Sequence, residues 1–170
     1  MWTRGPAMFQ APAASGPAKP FTITFDEAGT PTTYPTALTT YYTASLGVTF
    51  AGAFRNSDGY FATGPRTGAA MYRALHATGT LISFDASVAT RKVAFYRAVS
   101  GVTNVTIYAS NGAVRVYSDT GTDVPPWNLF TVDLDAAPYF DAAHWGSAFI
   151  TGIEFTGSSV LVLIDDFTVL

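Results

Sequence analysis

The chain has 170 residues, enough for one domain with a substantial core but too few for two ordinary domains. Charged residues make up only 12%, against roughly 25% in an average domain, while aromatic residues make up 15% and the net charge is −3. This composition excludes an intrinsically disordered chain, and its mild acidity argues against a nucleic-acid partner. The chain has no cysteine, which excludes a disulfide-stapled mini-protein but does not fix the compartment.

Residues 1–20 form a segment dominated by proline, alanine and glycine. Its apolar runs are too short for a secretory signal, and no later segment has the roughly 20 apolar residues of a membrane span. Extended in a polyproline-like form, the segment would reach about 60 Å, several times the ~15 Å radius of gyration of the remaining domain. We therefore expect an arm that docks on another protein subunit. Its expected contact residues are Trp2, Arg4, Met8 and Phe9.

From residue 21 onward, apolar and polar residues alternate with the period of two that is typical of β-strands. Phe21, Ile23 and Phe25, for example, share one face of the first run. The last run is apolar on both faces, which predicts a strand that is covered on both sides. The predicted strands are residues 21–27, 47–54, 80–85, 91–97, 104–110, 113–118, 127–135, 150–157 and 160–170.

The connections between these runs support an all-β fold. Asn111 and Gly112 predict a hairpin with a type I′ turn. Helical character is limited to residues 141–148, where Asp141 is a suitable N-cap. Many short strands at roughly 8–12-residue spacing predict an antiparallel β-sandwich of jelly-roll type over residues 21–170.

Several segments occur in an order that resembles a known family. They are ITFDE (23–27), GVTF (47–50), LISFD (81–85), NVTIYASNG (104–112), GIEFTG (152–157) and IDDFTV (164–169). Together they resemble the β-jelly-roll domains of the galactose-binding and carbohydrate-binding-module type. They are also similar to a domain of bacterial surface proteins that carry a PEP-CTERM sorting tail. The resemblance implies a fold more than a function, because jelly rolls host many roles, including viral capsid proteins.

The same resemblance implies a structural calcium ion. In such domains an acidic residue of the first strand often meets the terminal aspartates around Ca²⁺, and Asp26, Glu27, Asp165 and Asp166 occupy the matching positions. Calcium takes six to eight oxygen ligands, and paired carboxylates would otherwise repel each other. The alternative is that these residues cap strand ends or bind turn amides. We expect no other cofactor.

A second candidate site is a sugar-binding surface, or an interface of similar composition. Sugars are bound by aromatic rings together with planar polar groups. Tyr108, Arg115 and Tyr117 lie on one predicted hairpin, where both tyrosines are expected to face outward; Trp127 follows two prolines, and Trp145 lies next to a histidine. The alternative is that these aromatic residues are partly buried packing residues.

Motifs that would indicate an enzyme are missing from the sequence. His76 and His144 are the only histidines and do not have metal-binding spacing. The only glutamates are Glu27, near a turn, and Glu154, on an outward strand face. We therefore expect a non-enzymatic protein.

The outward strand positions are rich in Thr, Ser, Ala and Tyr, and Lys19 and Lys92 are the only lysines. Protein interfaces are depleted in lysine and enriched in tyrosine and arginine. We therefore expect a structural or display subunit of a larger assembly, most concretely a virion-surface decoration or fibre subunit that forms a homo-oligomer or lattice. The alternative is a secreted carbohydrate-binding module. These hypotheses place the protein on a virion or outside the cell.

Overall fold

The structure is a computed structural model. It describes residues 16–26, 41–51, 53–56, 71–76, 80–119 and 127–170, with the backbone alone for 53–56, 71–76, Thr80 and Ser159. Within these residues the fold is nearly all β. Its elements are β1 (Phe21–Ile23), α1 (Thr43–Leu46), β2 (Val48–Phe50), β3 (Ala53–Asn56), β4 (Met71–His76), β5 (Thr80–Phe84), β6 (Lys92–Ala109), β7 (Val114–Ser118), β8 (Asn128–Asp133), α2 (Ala142–Trp145) and β9 (Ile150–Val169).

The long strands β6 and β9 form an antiparallel ribbon to which most other described strands attach. The ribbon runs from the Val93–Val169 pair to the Ala109–Ile150 pair. The other edge of β9 pairs with β5, then β4, then β1. The other edge of β6 pairs with β8 and β7, while β2 and β3 extend the sheet beyond β5 and β4. Every one of these pairings is antiparallel.

The ribbon bends so that its own ends face each other across the core. The ring centroid of Phe95 lies 6.2 Å from that of Phe155 and 5.3 Å from that of Phe167. A straight strand would separate Phe155 from Phe167 by about 40 Å. The sheet therefore folds over on itself, and the predicted all-β antiparallel sandwich is confirmed. The largest fully buried residues are Trp145, Phe25, Phe50, Phe95, Phe155, Phe167, Ile23, Ile82 and Ile107.

The bend explains why two pairs of predicted strands are single strands in the structure. Residues 91–97 and 104–110 belong to β6, and residues 150–157 and 160–170 belong to β9. The β6–β9 register shifts between Ser100 and Asn104, next to Gly101 with its φ of +71°. Such bulges bend a strand without ending it.

The hairpin is confirmed at its predicted place, but the predicted turn type is wrong. Gly112 has a φ of +82°, whereas Asn111 does not have the positive φ that a type I′ turn requires. Gly112 N–H donates to the carbonyl of Ala109 (3.0 Å), and Ala109 N–H donates to that of Ala113 (2.9 Å). The connection is therefore a three-residue loop with glycine at its left-handed position.

The end of the predicted arm lies against the domain itself. Lys19 Nζ donates to the carbonyl of Ala89 at 2.8 Å. Gly16 lies so close to the β5–β6 loop that a Cβ built on it would be 2.1 Å from the carbonyl oxygen of Ser87. Residues 1–15, with all four proposed contact residues, lie outside the described part of the chain, so docking of the arm stays a prediction. None of the helices in the described ranges is long and apolar enough to cross a membrane.

Gly157 provides a test of the bend. A Cβ added there would lie 1.9 Å from the carbonyl oxygen of Gly101 and 2.9 Å from the amide nitrogen of Thr103. Because both atoms belong to the backbone, we expect Gly157→Ala to lower the free energy of unfolding by about 2–3 kcal/mol. Denaturant unfolding measures this change. Ser158→Ala, on the exposed neighbouring residue, should leave stability almost unchanged; equal stabilities for the two variants would contradict the close approach.

Candidate functional site

The five residues predicted as one glycan or interface surface do not share a face. Tyr117 pairs with Val105, and Arg115 pairs with Ile107. Val105 and Ile107 are buried in the core, so Arg115 and Tyr117 lie on the core side of the edge strand β7. Tyr108 is on the opposite face of β6, because neighbouring strand residues alternate. The prediction that both tyrosines face outward is therefore wrong for Tyr117.

The two tryptophans are also displaced from the predicted surface. Trp145 is fully buried, and its Nε1 donates to the carbonyl of Tyr139 at 2.7 Å. A residue without accessible surface cannot stack on a sugar, so the prediction for Trp145 is wrong. Trp127 is half-buried on the other side of the sheet, where it packs against a small cluster. The members of that cluster are Ala98, Leu161 and Leu163.

Arg115 is held by the predicted helical turn. Asp141 is the N-cap of α2, as expected, and its carboxylate accepts a hydrogen bond from the His144 amide at 3.1 Å. The same carboxylate pairs with the Arg115 guanidinium. The amide of His144 and then Arg115 lower the pKa of Asp141. Arg115 and Asp141 therefore act here as structural residues that fasten α2 to β7.

Three of the four proposed calcium ligands, Asp26, Asp165 and Asp166, lie within the described residues. Asp165 is fully buried, and its Oδ1 accepts from the Asp166 amide at 2.9 Å. Asp26 is half-buried, and its amide donates to Thr24 Oγ1 at 3.4 Å. Glu27 lies outside the described residues. Among the described residues, no three His, Asp or Glu side chains are grouped in a way that could hold a metal ion. Calcium binding stays a prediction.

The structure reveals a groove that the sequence did not predict. It lies on the outward face of β5, β9 and β6, where Ser83, Gly152 and Tyr108 form one row across the three strands. Leu81 and Glu154 are paired in the next row on the same face. The groove has a volume of about 400 Å³. It is lined by Leu81, Ser83, Tyr108, Thr151, Gly152 and Glu154.

Gly152 forms the floor of this groove because it has no side chain. A Cβ at this position would lie 3.3 Å from Tyr108 Cδ2 and 3.4 Å from Leu81 Cδ1. The Tyr108 ring and the Leu81 side chain therefore stand on either side of bare backbone. This arrangement gives a narrow, partly apolar trough beside the register shift between Tyr108 and Ala109.

Tyr108 and Glu154 form the polar part of the groove. The Tyr108 hydroxyl donates to Glu154 Oε2 at 2.5 Å. This hydrogen bond, followed by burial and the negative charge of Glu154, raises the pKa of Tyr108. The hydroxyl therefore stays protonated at neutral pH and orients the carboxylate, which keeps further lone pairs as acceptors. The outward direction of Tyr108 and Glu154 agrees with the alternation in the sequence, whereas their pairing across strands could not be read from it.

No protein-family model matches the chain, and no curated protein matches it. Solved structures that resemble it include two carbohydrate-binding modules. One is TmCBM61 in complex with β-1,4-galactotriose, with 11% identity over 72% of this chain and 86% of that chain, at a TM-score of 0.43. The other is CBM29-2, a family 29 module, with 12% identity over 90% of this chain and 92% of that chain, at a TM-score of 0.45.

The burial of Tyr139, which packs beside α2, predicts that the free energy of unfolding depends on pH in the alkaline range. Burial raises the pKa of Tyr139 to about 12, in spite of the opposing effect of Arg97. An unfolded tyrosine ionises near pH ~10, so between about pH 10 and 12 only the unfolded chain releases this proton. We expect the free energy of unfolding to fall over that interval.

Denaturant unfolding from about pH 9 to pH 12 measures this dependence. The Tyr139→Phe variant lacks the proton, so its stability should fall less steeply than that of the wild type. Identical slopes for the two proteins would show that Tyr139 ionises in the folded state as an ordinary tyrosine does.

Proposed function

We propose that this protein is a carbohydrate-binding domain and that the groove over Gly152 holds a sugar ring. The observation that carries this proposal is the placement of one aromatic ring and one carboxylate beside bare backbone: Tyr108 and Glu154 flank Gly152. The C–H face of a sugar can lie against the phenol ring. Its hydroxyls can donate to the carboxylate oxygens, which accept hydrogen bonds only.

The position of the groove also supports a binding role. Its residues are on β5, β6 and β9, and the latter two are the central strands of the fold. Side chains on paired strands are held in place before a ligand arrives, which lowers the ordering cost of binding. On the neighbouring β7 the same face presents the exposed side chains of Val114 and Val116. Binding of this kind requires no covalent chemistry.

The expected display role on a virion depended on the lysine-poor surface and on the arm of residues 1–20, of which residues 1–15 lie outside the described part of the chain. That role, the subunit partners and the location of the protein therefore stay predictions. A glycan as partner is the alternative that the groove favours.

Binding assays with β-1,4-linked oligosaccharides of galactose, glucose and mannose test the proposal. If the groove is the site, Tyr108→Ala should weaken binding about tenfold or more, because aromatic contacts dominate such interfaces. Tyr108→Phe keeps the ring but releases Glu154, so its loss should be smaller. Gly152→Val should block the groove, since even its Cβ would touch both walls.

Phe140→Ala is the matched control. Phe140 is 58% exposed and is not among the residues that line the groove. Its removal should leave glycan affinity unchanged. Wild-type binding that survives Tyr108→Ala and Gly152→Val would place the sugar elsewhere, and the absence of binding at millimolar concentrations would refute the proposed function.

A further inference from the structure

A second cavity adjoins the proposed sugar groove at the end of β5. Its volume is about 330 Å³, and it is lined by Asp85, Ala86, Ala89, Ser110, Phe149, Ile150 and Thr151. Thr151 also lines the groove over Gly152. The two spaces are therefore neighbours on one surface, although their chemistry differs.

The lining of this cavity is mainly apolar. Phe149 is 41% exposed, and Ala86 and Ala89 of the β5–β6 loop also line the cavity. Three lining side chains are polar, those of Asp85, Ser110 and Thr151, and the Ser110 Oγ accepts a hydrogen bond from the Phe149 amide at 3.0 Å. Most of the exposed wall is nevertheless carbon, which cannot bind the hydroxyls of a sugar ring. Its surface instead favours an apolar group, because the transfer of apolar surface out of water is favourable in free energy.

Phe149 is held in position by its backbone. Besides the bond to the Ser110 hydroxyl, its carbonyl accepts from the Ser110 amide at 2.9 Å. Both bonds join the hairpin loop after β6 to the residue before β9. These bonds fix the backbone of Phe149, whose partly exposed side chain lines the cavity and can contact an apolar group there.

We propose that the cavity beside Phe149 binds an apolar, ring-sized substituent carried by the sugar in the groove, so that the preferred ligand is an aryl-substituted sugar rather than a plain one. This inference rests on the proposed function and narrows its ligand class. The volume is sufficient, because an apolar protein cavity of about 150 Å³ already accepts benzene. The shared wall at Thr151 places the substituent next to the sugar ring.

Matched pairs of methyl and phenyl β-glycosides of glucose, galactose and mannose test this inference by calorimetry or NMR titration. For the sugar that binds, we expect the phenyl glycoside to bind about tenfold more tightly than the methyl glycoside. Phe149→Ala should remove most of this difference while leaving the methyl glycoside unaffected. Ala86→Trp, which fills the cavity from an exposed position, should have the same effect.

Two controls separate this inference from the proposed function. Phe140→Ala should leave the phenyl advantage intact, whereas Tyr108→Ala should weaken both glycosides of a pair. Equal affinities within each pair in the wild type, together with a loss on Tyr108→Ala, would overturn the inference and leave the sugar groove in place. A phenyl advantage that persists in both cavity variants would overturn it too, and no binding of any glycoside would overturn both proposals.

Discussion

The pairing of β6 with β9 is the constraint on which the rest of the described structure depends. β9 provides the edge for β1, β4 and β5, and β6 provides the edge for β7 and β8. The ribbon must also bend, because Phe155 and Phe167 on β9 both contact Phe95. The close approach of Gly157 to Gly101 marks where backbone replaces side chains to allow this bend.

The same ribbon positions both proposed binding spaces. Tyr108 on β6 and Glu154 on β9 meet because the strands are adjacent, although 46 residues separate them in the chain. Gly152, which pairs with Tyr108, contributes by having no side chain: it leaves a space where any other residue would place a Cβ atom. The proposed specificity thus depends on one missing side chain and on two neighbouring linings, one that contains the Tyr108–Glu154 pair and one that is mainly apolar.

Much of the sandwich could be predicted from alternation alone. The predicted inward residues Ile23, Phe50, Ile82 and Phe155 are fully buried, and residues 160–165 are buried on both faces, as expected. β4 was missed because Met71–His76 does not alternate cleanly. The groove over Gly152 was not predicted, because alternation in the sequence indicates on which face of its strand a residue lies but not which strands are adjacent in the sheet. Tyr117 shows the remaining difficulty: at a sheet edge the inner face is only half-covered, so a core tyrosine and a surface tyrosine have the same local pattern.

The position of β9 in the chain has a consequence for how the protein acquires its structure. Val93 and Val169 are paired across 76 residues, and the closest pair of the ribbon, Ala109 and Ile150, across 41. Such non-local contacts slow folding, because loops must close before the contacts that stabilise them form. β1, β4, β5 and β6 all pair with β9, so these edges stay unpaired until β9 is in place. Folding is therefore expected to begin at the hairpin of β6 and β7, whose pairs are local.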